Sequence, residues 1–313
     1  MRENDFLNWI RENSPPHPAV KLGIGDDMAA VDIGDSLAVL KTDQCLDQVH
    51  FDLRQHTATQ AGRKAVNRCL SDCAGMGCLP AALMISVALP KDGPGSGEGF
   101  AKELFLACRN AGAEFDCPLV GGDTSMWDQR LAITVSALGR IPQNQHLITR
   151  SGARPGDTLF VSGALGGSLL PGGGGRHLTF TPRIELAQRI IQAAGLALHA
   201  MMDLSDGLSQ DLPRLCAASH VGAQIHTARL PTHDDAWKLA QKDSLPAGFH
   251  ALADGEDYEL LFALDPNSAP EIVNLSNIPL TAIGTVTSDP RLLLVDDHGK
   301  THVWPRAGWE HHS

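Results

Sequence analysis

The chain has 313 residues, 43% hydrophobic and 19% charged, with a formal net charge of −11 at pH 7. That length suits two domains, each large enough to bury a core of its own. The negative field repels polyanions and no run of Lys or Arg offsets it, which excludes a nucleic-acid-binding module; phosphates reach such a surface through metal cations.

The seven cysteines form no C-x-x-C pair and several sit in apolar stretches, as reduced thiols of a cytosolic protein do. The charged N-terminus has no apolar core, and no segment approaches the ~18–20 apolar residues of a membrane span. A soluble cytoplasmic protein without a membrane partner is expected.

In chain order, residues 4–12 read as a short amphipathic helix and 36–42 as a strand delivering Thr42 and Asp43 at its end. A helix over 60–77, a buried strand over 81–89 and a Gly/Pro loop over 92–97 follow. The next helix carries Phe100, Leu104, Phe105, Cys108 and Ala111 on one stripe, with Gly112 placed as its C-cap. A short strand at 119–120 precedes Gly121-Gly122-Asp123, and 131–138 is another strand. The polar, Pro- and Gly-marked stretch 140–156 lacks periodicity and is read as the domain boundary, giving domains 1–145 and 146–313. Beyond it lie a strand at 158–162, a Gly-rich connection, helices at 183–194 and 206–217, and strands near 259–264 and 291–295. Strands alternating with helices predict an α/β or α+β layered fold.

No P-loop, protein-kinase constellation or G-x-S-x-G elbow is present. What stands out is a scatter of aspartates read at turns where apolar segments end: Asp26-Asp27, Asp43, Asp72, Asp123, Asp203 and Asp206. One such residue is explained by turn chemistry. Six acidic segments converging on one cleft repel each other unless a cation is there, and Mg²⁺ favours carboxylates together with substrate phosphates. The segment 203–211 places Ser205 as an N-cap and Asp206 in the first turn of a helix whose N-terminal amides suit a phosphate, with Pro213 a candidate kink. His50 lies at the edge of the same site; His311 and His312 lie at the terminus.

The segments GIGDDMAAVD, TDQCLDQVHF, KAVNRCLSDCAGMG, LVGGDTS, RSGARPGD, MMDLSDGLSQDL and DGEDYELLF, in this order, resemble thiamine-monophosphate kinases over essentially the whole chain. The resemblance implies the two-domain aminoimidazole ribonucleotide synthetase-like fold, with N-terminal sheets pairing across a homodimer. It implies ATP-dependent phosphorylation of thiamine monophosphate to thiamine diphosphate by direct transfer, with several Mg²⁺ ions and no covalent nucleophile. Carried over position by position, it implies metal ligation by Asp27, Thr42, Asp43, Asp72, Asp123, Asp203 and Asp206. Gly122, Asp123, Arg150 and Ser205 match nucleotide contacts, and His50, Glu256 and Trp309 match contacts to the thiamine.

The chain departs from that pattern at Lys41, where a Ser or Thr metal ligand is usual, and at Asp254, which replaces a glycine. Asp47-Gln48 stands for Glu-Gly, and the 163–183 connection is short and glycine-rich. Two other readings are another ATP-dependent synthetase of the superfamily and a nucleotide- or thiamine-binding protein without turnover.

Overall fold

The computed structural model describes residues 3–272, 275–305 and 307–308. The first half comprises α1 (Glu3–Glu12), β1 (Val20–Leu22), β2 (Ala29–Asp32), β3 (Leu37–Leu46), α2 (Ala58–Gly75), β4 (Leu79–Pro90), α3 (Glu98–Ala113), β5 (Leu119–Trp127) and β6 (Ala132–Arg140). The second comprises β7 (Thr158–Ser162), α4 (Ile184–Ala194), β8 (Leu198–Leu204), α5 (Leu208–Ser219), β9 (Gly222–His226), α6 (Asp234–Asp243), α7 (Ala247–Ala253), β10 (Glu259–Leu264), α8 (Ala269–Ile272), β11 (Leu280–Thr287), β12 (Leu292–Val295) and β13 (Thr301–Val303). Among the described residues no helix is long and apolar enough to cross a membrane.

The first sheet runs β1-β2-β3-β6-β4-β5, and only β4 and β5 pair in parallel. Its alternation is plain in β6, where Ile133, Val135 and Ala137 are buried and Thr134, Ser136 and Leu138 are less so. One face therefore packs against helices and the other stays open. The second sheet runs β13-β12-β9-β11-β7-β10-β8, and only β12 and β9 are parallel. Strand β10 is buried at every position: Leu260, Phe262 and Leu264 join one core, Leu261 and Ala263 the other. Both faces of this sheet are covered.

One apolar core, around Leu159, Met202, Leu212 and Ile225, belongs to the second half alone. The other runs from Val39, Leu70 and Val135 of the first half to Ile190, Met201 and Phe262 of the second. The reason is α2, which packs on β3 and β6 on one side and on α4, β8 and β10 on the other.

Several local expectations are corrected. Asp43 and Asp123 do not end strands; β3 and β5 continue past them because each is paired with a neighbour through Leu46 and Trp127. Gly112 is no C-cap: it lies inside α3, where a Cβ would meet the Cys117 carbonyl oxygen at 2.5 Å, so close packing explains it. Ser205 is not the N-cap of α5. Gly207 at φ +95° precedes the helix, and the Asp211 carboxylate accepts from the Ser205 and Asp206 amides at 3.0 Å each. Pro213 stands within α5, whose helix continues to Ser219. Its missing N–H orphans the Ser209 carbonyl, and Trp304 Nε1 donates to that oxygen at 2.9 Å.

Candidate active site

The site is built on α2, which begins with a capping box between Thr57 and Gln60. Lys64, Arg68 and Asp72 follow at intervals of four, one above another on a single face. Lys64, Asn67, Ser71 and Asp72 are all buried. Charges and amides buried on a helix need partners, and theirs are two neighbouring groups of side chains.

The first group is acidic. Asp27 from the β1–β2 turn, Asp72 from α2 and Asp203 from β8 each present a carboxylate oxygen, all within 4.8 Å of one another and all buried. Ser71 Oγ donates to Asp203 Oδ2 at 2.6 Å, Lys41 Nζ lies 2.9 Å from Asp72 Oδ2, and Arg150 pairs with Asp27 Oδ1. Gly75 is required here: a Cβ would meet Asp27 Oδ2 at 2.7 Å and the Asp203 amide at 2.8 Å. Burial, aided by Asp27, raises the Asp203 carboxyl to about 7. Burial also pushes Asp72 well above the carboxylate range, with Asp203 and Asp27 adding to it and Lys41 opposing. Carboxylates so placed resist joint ionisation until a cation joins them. The donor set fits one: the oxygens are hard, and among the described residues buried Asp27 Oδ2 has no hydrogen-bond partner.

The second group surrounds a small cavity of about 60 Å³ lined by His50, Arg68, Ser205, Asp206, Asp254, Glu256 and Tyr258, among others. Lys64 ties its base together, donating to the His50 carbonyl at 2.5 Å, to His177 Nδ1 at 2.6 Å and to Glu256 Oε2 at 2.7 Å. Burial opposes ionisation of Glu256, but His177, Lys64 and Arg68 hold its carboxyl down at about 2. His50 is pushed to about 3, by burial first and then by Arg68. Its Nδ1 accepts from the Leu46 amide at 3.0 Å, so the neutral ring carries its proton on Nε2. Arg68 Nε lies 3.4 Å from Asp43 Oδ2, which links this group to the acidic one. Asp206 pairs with Arg214 at 2.5 Å on the rim of the cavity rather than with the buried aspartates.

Three predicted residues are not brought into either group. Lys41 and Asp43 face α2, whereas Thr42 points to the opposite face of the sheet, its Oγ1 2.9 Å from Ser136 Oγ. Asp123 stands in register with Ser86 and Thr134 on that open face. With Gly122 it borders a separate cavity of about 420 Å³, between β4–β5 and α3, lined by Ile85, Leu104, Phe105 and Cys108 among others. The parity of a strand sets this: one residue along, the side chain changes face. Trp309 lies outside the described residues; Gly308 beside it in sequence packs against Asp206 and Ser209.

Two family profiles match this chain: AIR synthase related protein, N-terminal domain, over residues 25–141, and AIR synthase related protein, C-terminal domain, over residues 154–297. The thiamine-monophosphate kinase of Rhodopirellula baltica is 36% identical over 314 residues, spanning 97% of this chain and 92% of that protein. That of Haemophilus influenzae is 32% identical over 337 residues, spanning 99% and 98%. The chain belongs to the thiamine-monophosphate kinase family. Among solved structures, AaThiL complexed with AMPPCP and TMP superposes with a TM-score of 0.83 at 29% identity, covering 99% of this chain and 97% of that one. Hydrogenase maturation protein HypE, at 18% identity and a TM-score of 0.71, shares the fold.

Within this kinase family the chain's departures now have structural content. Lys41 does not point away from the acidic group; it joins it. Asp254 does not strain the backbone, being right-handed at φ −67° as the C-cap of α7. Its carboxylate accepts from the Gly167 amide at 2.7 Å and lies 2.9 Å from His250 Nδ1, while Asp243 lies 3.2 Å from His250 Nε2. Burial opposes the His250 charge, yet Asp254 and Asp243 raise its pKa overall. A histidine raised in the folded state adds stability below its unfolded pKa, ~6.5, and loses it as pH rises through the folded value. His250→Gln should therefore lower the unfolding midpoint more at pH 6 than at pH 9, as thermal scans at both pH values will show.

Sequence reading missed Lys64, Arg68 and His177. The first two had a signal, polar residues at i, i+4 and i+8 with Asp72 in an apolar helix. His177 had none: it follows a glycine run and reaches the site only through the chain's return past α2.

Proposed function

We propose that the chain transfers the γ-phosphoryl group of ATP to the phosphate of thiamine monophosphate, giving ADP and thiamine diphosphate. The observation that carries this is the trio of buried carboxylates within 4.8 Å, on a chain that spans nearly the full length of thiamine-monophosphate kinases. Asp27, Asp72 and Asp203 are the residues to hold Mg²⁺, with Asp43 beside them. Bound there, the cation neutralises triphosphate oxygens and the charge that spreads over the transferring group. The chain's own residues do the rest by positioning. Arg150 offers a guanidinium fork beside Asp27. Ser205 is assigned to the nucleotide and Asp206 to a further ion at the rim; Gly122 and Asp123, away from both groups, are assigned to the nucleotide by family position alone. His50, with its proton on Nε2, donates to the substrate, Glu256 meets the thiazolium charge, and Arg68 offers donors to the substrate phosphate. Trp309 is assigned to the thiamine ring by family position alone.

No covalent enzyme intermediate is needed. All seven cysteines are buried, and burial raises Cys45 and Cys117 to about 11 and Cys108 and Cys216 to about 12, so these four are held as thiols.

The proposal includes a cytoplasmic homodimer, with domains divided at 145/146. Strand β5 is an edge strand exposed from Val120 to Trp127, beside an open sheet face carrying Leu40, Met84 and Leu138. An uncovered apolar edge invites pairing with a second copy. Thr42 and Asp123 lie on that face, so the pairing would cover them as well.

The test is direct. Purified protein with ATP, Mg²⁺ and thiamine monophosphate is expected to form thiamine diphosphate, followed by chromatography, and to form none once chelator removes the metal. ATP binding by folded protein without product would contradict the reading.

A further inference from the structure

We propose that the Lys41 ammonium is a built-in cation of the carboxylate group, occupying a position that a divalent ion takes when residue 41 carries a hydroxyl. The proposal rests on the cation reading above and adds to it a statement about number: this chain binds one ion fewer per subunit than its Lys41→Thr variant.

Three observations carry it. Lys41 sits on β3 facing α2, with its side chain only 23% exposed and Nζ at 2.9 Å from Asp72 Oδ2. An ammonium at 2.9 Å and an Mg²⁺ at ~2.0–2.1 Å on that same oxygen would stand about 4 Å apart, where their repulsion is still several kcal/mol at an effective dielectric of ~20, so the two compete for it. The group also carries its own charge balance. Counted fully ionised, as a bound cation would hold them, Asp27, Asp72 and Asp203 supply three negative charges, and Lys41 and Arg150 supply two positive ones. One negative charge remains, enough for a single divalent ion until phosphates arrive. Finally, a donor is still open for that ion: the Asp27 side chain is fully buried and its Oδ2 makes no hydrogen bond among the described residues. With Asp203 at hand, that oxygen defines where the remaining ion binds.

A fixed ammonium is not diluted when Mg²⁺ is scarce. The activity of this chain should therefore depend less steeply on Mg²⁺ than that of Lys41→Thr, whose dependence gains about one power of concentration.

Mn²⁺ bound per subunit is to be counted by electron paramagnetic resonance, in the presence of a non-hydrolysable ATP analogue. The native chain, Lys41→Arg, Lys41→Thr and Lys41→Met are compared. The expected result is one more ion in Lys41→Thr than in the native chain and no gain in Lys41→Arg. If Lys41→Thr fails to fold, Lys41→Met decides, since it removes the charge while keeping the apolar stem, and it too should gain an ion. Equal, non-zero counts in all four proteins overturn the Lys41 assignment and leave the cation site standing. Absence of protein-bound Mn²⁺ in the native chain and in the neutral variants alike overturns the cation site itself.

Discussion

Turnover of the Asp72→Asn variant is expected to fall by about a hundred- to a thousandfold, the scale of losing one preorganised electrostatic contact to the transition state. Asp72 lies at the centre of the acidic group, within reach of Asp27, Asp203 and Lys41. Asparagine keeps the shape but cannot ionise when a cation arrives, so a divalent ion loses both a ligand and the charge that would draw it. The fold should survive. Burial already drives the Asp72 carboxyl toward its neutral form, and a neutral amide fits that environment. Because the loss falls on a metal–phosphate contact made in the transition state, kcat should drop more than KM for thiamine monophosphate rises. Steady-state kinetics with matched circular dichroism will show whether this holds; activity within tenfold of native would remove Asp72 from the metal site.

Lys64→Met should produce the largest loss of stability, about 3–5 kcal/mol, seen as an unfolding midpoint lowered by roughly 10 °C. Lys64 is fully buried and donates to His50, His177 and Glu256 at once. Methionine matches the stem but leaves the Glu256 carboxylate without its nearest cation. The same change should weaken substrate binding, since Glu256 and His50 are held in place by this ammonium. Glu256 adopts φ +54°, a strained conformation for a non-glycine residue that its surroundings must maintain. A midpoint within 2 °C of native would show that the three contacts are dispensable.

The sequence made part of this legible for definite reasons. Asp27, Asp72 and Asp203 each sit in a motif flanked by apolar residues, and all three arrive at one buried point. Asp43 and Asp123 looked alike as aspartates beside Gly or Thr. Yet they lie in the middle of long strands, on opposite faces of one sheet, and neither strand length nor facing is fixed by a local motif. Strand β8, which carries Asp203, is buried at nearly every position, so it shows none of the alternation that marks half-buried strands such as β6. Length gave no sign that α2 has a second buried face serving the far half of the chain, which carries one core across both halves. The polar face of α2 serves the site through contacts the helix alone does not show: the return of the chain through His177 and Glu256 supplies the partners of Lys64.

The most direct measurement is a crystal structure of the protein with Mn²⁺, a non-hydrolysable ATP analogue and thiamine monophosphate, with the ions located by anomalous scattering. The account predicts an anomalous peak between the carboxylates of Asp27, Asp72 and Asp203, joined to phosphate oxygens, with the thiamine beside His50 and Glu256. Ions held by phosphates alone, with the three carboxylates still paired only to Lys41, Ser71 and Arg150, would contradict it.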